Sequence, residues 1–220
     1  MERARLGTSF ASEIFSPTLD LAPDYAQMGI DAFETSEVLK EVPLVKTAVA
    51  LFKTGIAIRE WHFVQKLLAF LKEFHGNSTE SQGTRVFRDK INSDSAFRDK
   101  VASHLLVILD RYVTTEKAQI LAHLFRAHVN GEIEWDDFVS LSEILDALHR
   151  SSHAFLKELA VSATPFFYHG GDRPEEAPLF AAGIATRHGT KFAITPLGQM
   201  LYSHGILPLF EGRPAPTTGE

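Results

Sequence analysis

Apolar positions recur at helical spacing along most of this chain, and the densest run is residues 42–58, VPLVKTAVALFKTGIAI. Its only charges are Lys46 and Lys53. Because they stand seven apart, a helix would carry them on one stripe and leave its remaining surface apolar. Such a helix is either wrapped by its own protein or laid against another apolar surface. Pro43 fits its first turn, and Gly55 gives it a place to bend. A second helix is expected over residues 59–75. There Phe63, Leu67, Phe70, Leu71 and Phe74 share a face, while Arg59, Lys66, Lys72 and Glu73 supply charge.

Residues 1–40 read as a lead-in broken by Pro17 and Pro23. Residues 76–83, GNSTESQG, are a loop by composition. The segment FRDK occurs at 87–90 and again at 97–100, but matches this short make no structural repeat. Asp94 is placed to cap a helix over 95–112, with Phe97, Val101, Leu105, Ile108, Leu109 and Tyr112 at helical spacing. Thr114 or Thr115 caps the next, over 115–129, and Asn130-Gly131 closes it. Glu134, Asp136 and Asp137 bring negative charge to the start of a helix over 134–150, where the dipole favours it. Ser151 or Ser152 then caps a short helix over 152–161.

After Ala163 the pattern changes. Pro165, Gly170, Gly171, Pro174 and Pro178 mark a connection or a partly helical loop. Two short strands, 184–187 and 191–194, flank His188-Gly189. Thr195-Pro196 opens a helix through Ser203, ended by His204-Gly205, and the chain closes in a polar proline-rich tail. The expected fold is therefore mainly α. A multi-helix bundle around a central apolar helix occupies residues 1–163, and a small winged-helix-like α/β appendage occupies 164–220.

Composition narrows the function classes. With 220 residues, 45% hydrophobic and 23% charged, the chain is long enough to bury a core. A net charge of −6 disfavours general nucleic-acid binding, which needs a basic surface. The absence of cysteine excludes disulfides, thiolate zinc sites and a cysteine nucleophile. No secretory signal and no spanning helix are expected, since residues 42–58 form only about 25 Å of helix. The expected location is cytoplasmic, with a peripheral place at the inner membrane as the alternative.

Candidate chemistry is sparse. Aligning HVNGEIEWDDF with a calcium loop through Gly131 puts Arg126 at the first ligand position and Asp137 at the twelfth, where calcium requires a carboxylate and a bidentate Glu. A helix corner with an acidic start accounts for the same residues. His149 and His153 have the i, i+4 spacing of a helical metal chelate, with Asp146 nearby, but Ser151-Ser152 looks like a helix boundary between them. Ten histidines make one such pair expected by chance. There is no GxSxG, no phosphate-binding glycine loop and no converging carboxylate pair; Asp136-Asp137 and Glu175-Glu176 are adjacent and diverge on a helix. No catalytic, cofactor-binding or metal-binding residue is expected, and the chain is read as a non-enzyme with no cofactor.

Residues 179–204 resemble the end of a bacterial winged-helix domain. Gly183-Ile184 matches the entry strand, Arg187 to Lys191 the wing, and Phe192, Ile194, Thr195 and Gly198 the strand-to-helix step. The resemblance implies a hairpin followed by a helix, used for DNA binding or for protein docking. In the DNA reading, Arg187, His188 and Lys191 are the contact residues. Charge weighs against it, because four bases oppose five acids from residue 164 onward, and GQMLYSHG carries no lysine or arginine. Residues 117–148, with their NGEI turn, resemble the helical corner of tellurite-resistance-type bacterial domains. The run through residues 42–58 is similar to uncharacterised bacterial helical proteins.

The leading expectation is a non-enzymatic bacterial binding or adaptor protein acting through an apolar helix surface, with Lys46, Lys53, Trp61 and Phe63 as contact residues. Its partner would be another protein or a second copy of itself. A DNA-binding regulator and a peripheral membrane protein are the alternatives.

Overall fold

Capping and helical periodicity organise what the computed structural model describes: residues 58–76, 81–162, 168–169, 173–189 and 191–211, with Phe10 and Ile14. Residues 42–57, with Lys46 and Lys53, lie outside the described residues. The described residues are mostly helical with a small antiparallel sheet. Contacts group the chain into two compact units, Met1–Ala122 with Val129–Glu132, and His123–His128 with Ile133–Glu220.

In the first unit, α1 (Ile58–Gly76), α2 (Gln82–Ser93), α3 (Ser95–Arg111) and the first part of α4 (Thr115–Val129) succeed one another. Trp61, Val64, Leu67, Phe70, Leu71 and Phe74 of α1 are buried, and α1 packs on α3. Phe70 meets Phe10 at 5.9 Å and stacks with Phe74 at 6.1 Å. Each such side chain contributes roughly 1.5–3 kcal/mol through burial. The predicted caps form: Asp94 Oδ1 accepts from the Phe97 amide at 2.9 Å, and Thr114 Oγ1 from the Lys117 amide at 3.4 Å. Gly131 closes α4 with φ of 78°, a left-handed turn that glycine adopts without steric cost.

Two features of this unit differ from expectation. Helix α2 falls where composition reads a loop at its start: Ser81 caps it, its hydroxyl accepting from the Thr84 amide at 3.0 Å. Only Phe87 and Ile91 of its twelve residues are buried, too few to set a pattern. A close approach fixes its first turn, since a Cβ at Gly83 would stand 2.7 Å from the Val129 carbonyl oxygen. The second difference is Lys66, expected as surface charge but only 5% exposed. Its ammonium donates to the carbonyls of Asp110 at 2.9 Å and Tyr112 at 2.6 Å, satisfying the end of α3 that the helix itself leaves open.

The second unit contains α5 (Trp135–Ala147) and α6 (Arg150–Ala160), then β1 (Tyr168–His169), α7 (Glu176–Ala181), β2 (Ala185–His188) and β3 (Lys191–Ile194). Phe125, His128, Trp135 and Phe138 form an aromatic cluster with ring centroids 5.4–6.4 Å apart. The sheet order is β1-β3-β2, all antiparallel, with Arg187 opposite Phe192 and His188 opposite Lys191. Strand β1 lies in the stretch expected to be a connection; its two residues are too few to show alternation. Helix α6 packs on α7, β3 and the helical run after the hairpin, so the hairpin shares a core with a helix that precedes residue 163.

Thr195 ties the hairpin to the next helix. Its hydroxyl accepts from the Gly198 amide at 3.1 Å and donates to the Gly183 carbonyl at 2.9 Å. A Cβ on Gly198 would overlap the Ile184 carbonyl oxygen, so only glycine fits there. Helix α8 (Pro196–Met200) does not stop at His204-Gly205 as expected. It widens into a π-helical turn, Leu201–Ile206, with the Leu207 amide donating to the Tyr202 carbonyl, and continues as α9 (Leu207–Glu211). Buried Leu201, Tyr202, Ile206 and Leu209 carry the run past the glycine, because tertiary packing outweighs its local preference.

Candidate functional site

The hairpin and α7 together frame a pocket of about 340 Å³, lined by Arg173, Glu176, Ala177, Phe180, Arg187 and Phe192. Arg187 and Phe192 stand opposite each other on the paired strands and so share a face of the sheet, where Phe192 is buried and Arg187 exposed. Helix α7 buries Glu176 and Leu179 on one side, an i, i+3 pair, and leaves Phe180 58% exposed at the pocket rim. Beneath the pocket, Phe192 stacks on Phe155 of α6 at 5.9 Å, and Phe155 carries the Arg173 guanidinium at 4.7 Å over its ring.

The charges around this apolar floor are paired. Arg187 Nη2 donates to Glu176 Oε2 at 2.6 Å, and Arg173 Nη1 donates to Glu158 Oε2 at 2.7 Å. Glu176 is 6% exposed, so its carboxylate is held out of water against a guanidinium that is about half exposed. The second carboxylate oxygen, Oε1, is buried with no hydrogen-bond partner. A buried acceptor in that state carries an unmet desolvation cost of about 1–3 kcal/mol. The arrangement can bind an uncharged or mixed surface.

Expected site residues fall unevenly. Of the three wing residues, Arg187 lines the pocket and is ion-paired, while His188 and Lys191 are exposed neighbours across the strands. Trp61 is only 4% exposed and packs within the first unit, and Phe63 is half-buried with the Lys66 ammonium 6.0 Å from its ring. Trp61 thus offers no contact surface, because its position on α1 coincides with the face that the core needs.

The His149–His153 spacing does not make a chelate. His149 is the extended N-cap residue of α6, its Nδ1 accepting from the Ser151 amide at 3.3 Å, so it lies outside the helical register of His153. This also corrects the cap itself, since Ser151 and Ser152 sit inside the helix. Among the described residues, no three His, Asp or Glu side chains gather as a metal site. Asn130, a position in the calcium-loop alignment, instead accepts from the Ser81 hydroxyl at 2.7 Å.

Sequence reasoning passes over Glu176, Phe180 and Arg173. Glu176 enters it only as half of an adjacent acid pair. The usable signal is its i, i+3 relation to Leu179, which puts an acid on an apolar helix face. Comparison with models of known protein families, with curated proteins and with solved structures finds no match. No helix of the described residues is long and apolar enough to cross a membrane.

Proposed function

We propose that this protein is a non-enzymatic binding or adaptor module that docks a segment of a partner polypeptide at the pocket between α7 and the hairpin. The observation that carries the reading is Phe180, an aromatic side chain held out at the rim of a preformed apolar pocket whose flanking charges are already paired. Exposed aromatics beside a concave, partly polar site are the usual anchors of protein recognition. The docking use of the winged-helix resemblance is the same in kind.

DNA binding is less well supported. Arg187 is engaged with Glu176, and the helical run from Pro196 to Glu211 contains no lysine or arginine to meet phosphates. The membrane reading rests on residues 42–58, nearly all outside the described residues.

The test is selection from a displayed random peptide library on the full chain, with Phe180→Asp as the counter-screen. Peptides that bind the wild type and lose roughly tenfold or more on the variant support the reading. Failure to select any, or binding indifferent to the variant, removes it. Duplex DNA at low salt serves as a parallel probe. Tight, salt-sensitive binding weakened by Arg187→Ala would install the regulator reading in its place.

A further inference from the structure

The register of the hairpin fixes which way each main-chain group of β2 points. Across its two-residue loop the Lys191 amide donates to the His188 carbonyl, so His188 faces β3. Main-chain direction alternates along an antiparallel ladder. Thr186 therefore faces β3 too, while Arg187 turns its amide and carbonyl away from it. Phe192, opposite Arg187, also turns away, and on that side it meets Tyr168 of β1. Arg187 has no counterpart of Tyr168 among the described residues, because the order β1-β3-β2 leaves β2 outermost. Backbone bonds from neighbouring segments stop at Ile184, whose amide donates to the Leu179 carbonyl at 3.1 Å and whose carbonyl accepts from the Thr195 amide at 3.0 Å. Among the described residues, none reaches the Arg187 main chain from the outer side.

Open edges are commonly guarded by a charged side chain. Here the arginine that could guard this one is drawn onto Glu176 at 2.6 Å and lines the pocket. Edge and pocket therefore share a residue. A strand added beside β2 would exchange two bonds with Arg187, and its residue there would stand on Arg187's face, which is the pocket's. The pocket's charges are already paired, and Ala177, Phe180 and Phe192 give it apolar walls, so the matching side chain is apolar.

We infer that β2 accepts an extended segment of a partner polypeptide as a fourth strand, with one apolar side chain directed into the pocket. The inference deepens the docking proposal, on which it rests: it fixes the conformation of the docked segment and places its affinity in main-chain bonds. A second copy of this chain fits less well. In a two-fold pairing it would set Arg187 or Ala185 opposite Arg187, a like charge or a side chain already buried in its own core.

Amide exchange on the full-length, isotope-labelled protein tests this. In the free protein the Arg187 amide should exchange at least about tenfold faster than that of Thr186. The probe is a blocked pentapeptide of alternating threonine and leucine, with leucine second and fourth. It should bind at about millimolar affinity and slow exchange at Arg187. N-methylation of both leucines removes the amides that face β2 and should weaken binding by about tenfold, whereas N-methylation of the threonines should change it little. Arg187→Ala keeps the main-chain amide and should keep binding. Arg187→Pro removes that amide and should lose about tenfold, at an edge position where proline leaves the ladder intact. Thermal midpoints show that both variants fold.

An Arg187 amide already protected in the free protein, by its own fold or by a second copy, would overturn the inference. So would a pentapeptide that leaves this amide unaltered, equal effects of the two methylation patterns, or alanine and proline variants that bind alike. The outcome separates from that of the docking proposal. Selected peptides that depend on Phe180 yet ignore Arg187→Pro would end strand addition and leave docking in place. Binding lost in Arg187→Pro but indifferent to Phe180→Asp would end docking at the pocket and leave strand addition.

Discussion

Lys66 and Glu176 are charged side chains buried to almost the same degree, 5% and 6% exposed, one in each compact unit. Lys66 ends on two backbone carbonyls at the close of α3. Glu176 meets one guanidinium with Oε2 and leaves Oε1 without a partner. The first charge finishes a piece of architecture, since the carbonyls it binds have no intrahelical donor. The second is incomplete, and it lines a pocket. Equal burial therefore says little about role. What separates the two is whether the fold itself fills the charge's remaining hydrogen-bonding positions.

The largest expected effect removes the floor under the unfinished charge. Phe155→Ala deletes the ring on which Phe192 stacks and over which Arg173 lies, and it should cost about 3–5 kcal/mol, read by denaturant unfolding. A loss below about 1 kcal/mol would show that the pocket does not depend on this stack.

Next is Lys66→Met, which keeps an unbranched stem while deleting the ammonium. Two carbonyls at the end of α3 then lose their donor, and a loss of about 1.5–3 kcal/mol is expected. The buried Trp61, on the same helix, gives a fluorescence readout. A neutral result would break the contrast between the two charges.

Glu176→Gln should cost much less, within about 1 kcal/mol. The variant gives up an ion pair with a half-exposed arginine, which solvent weakens, and keeps a polar atom at both carboxylate positions. A cost as large as that of Lys66→Met would mean that the glutamate is as structural as the lysine. The smallest effect is that of Phe180→Asp, within about 0.5 kcal/mol in stability, because the ring is exposed. Its thermal midpoint should stay near that of the wild type while peptide binding is lost.

Much of the fold is legible because it is written locally. Asp94 and Thr195 cap where their spacing says, Gly131 turns left-handed, and the hairpin pivots on Gly189 with φ of 64°. Each rests on a side chain or backbone preference acting within a few residues. Helix α2 is obscured by its mostly polar surface, and the cap of α6 by a histidine doing what serine usually does. The continuation past Gly205 is hidden because burial of Leu201, Ile206 and Leu209 overrides a glycine that would stop an isolated helix.

The amino-acid sequence by itself determined the helical class, most of the helix starts and the hairpin, since periodicity and capping are short-range. Only the tertiary structure decided the fates of the charges. Lys66 finds its carbonyls 44 and 46 residues away, and Arg187 reaches Glu176 across 11. Whether a charge is finished or left open depends on which neighbours folding brings to it. A polar atom taken out of water is satisfied by geometry in three dimensions, and spacing along the chain does not encode that.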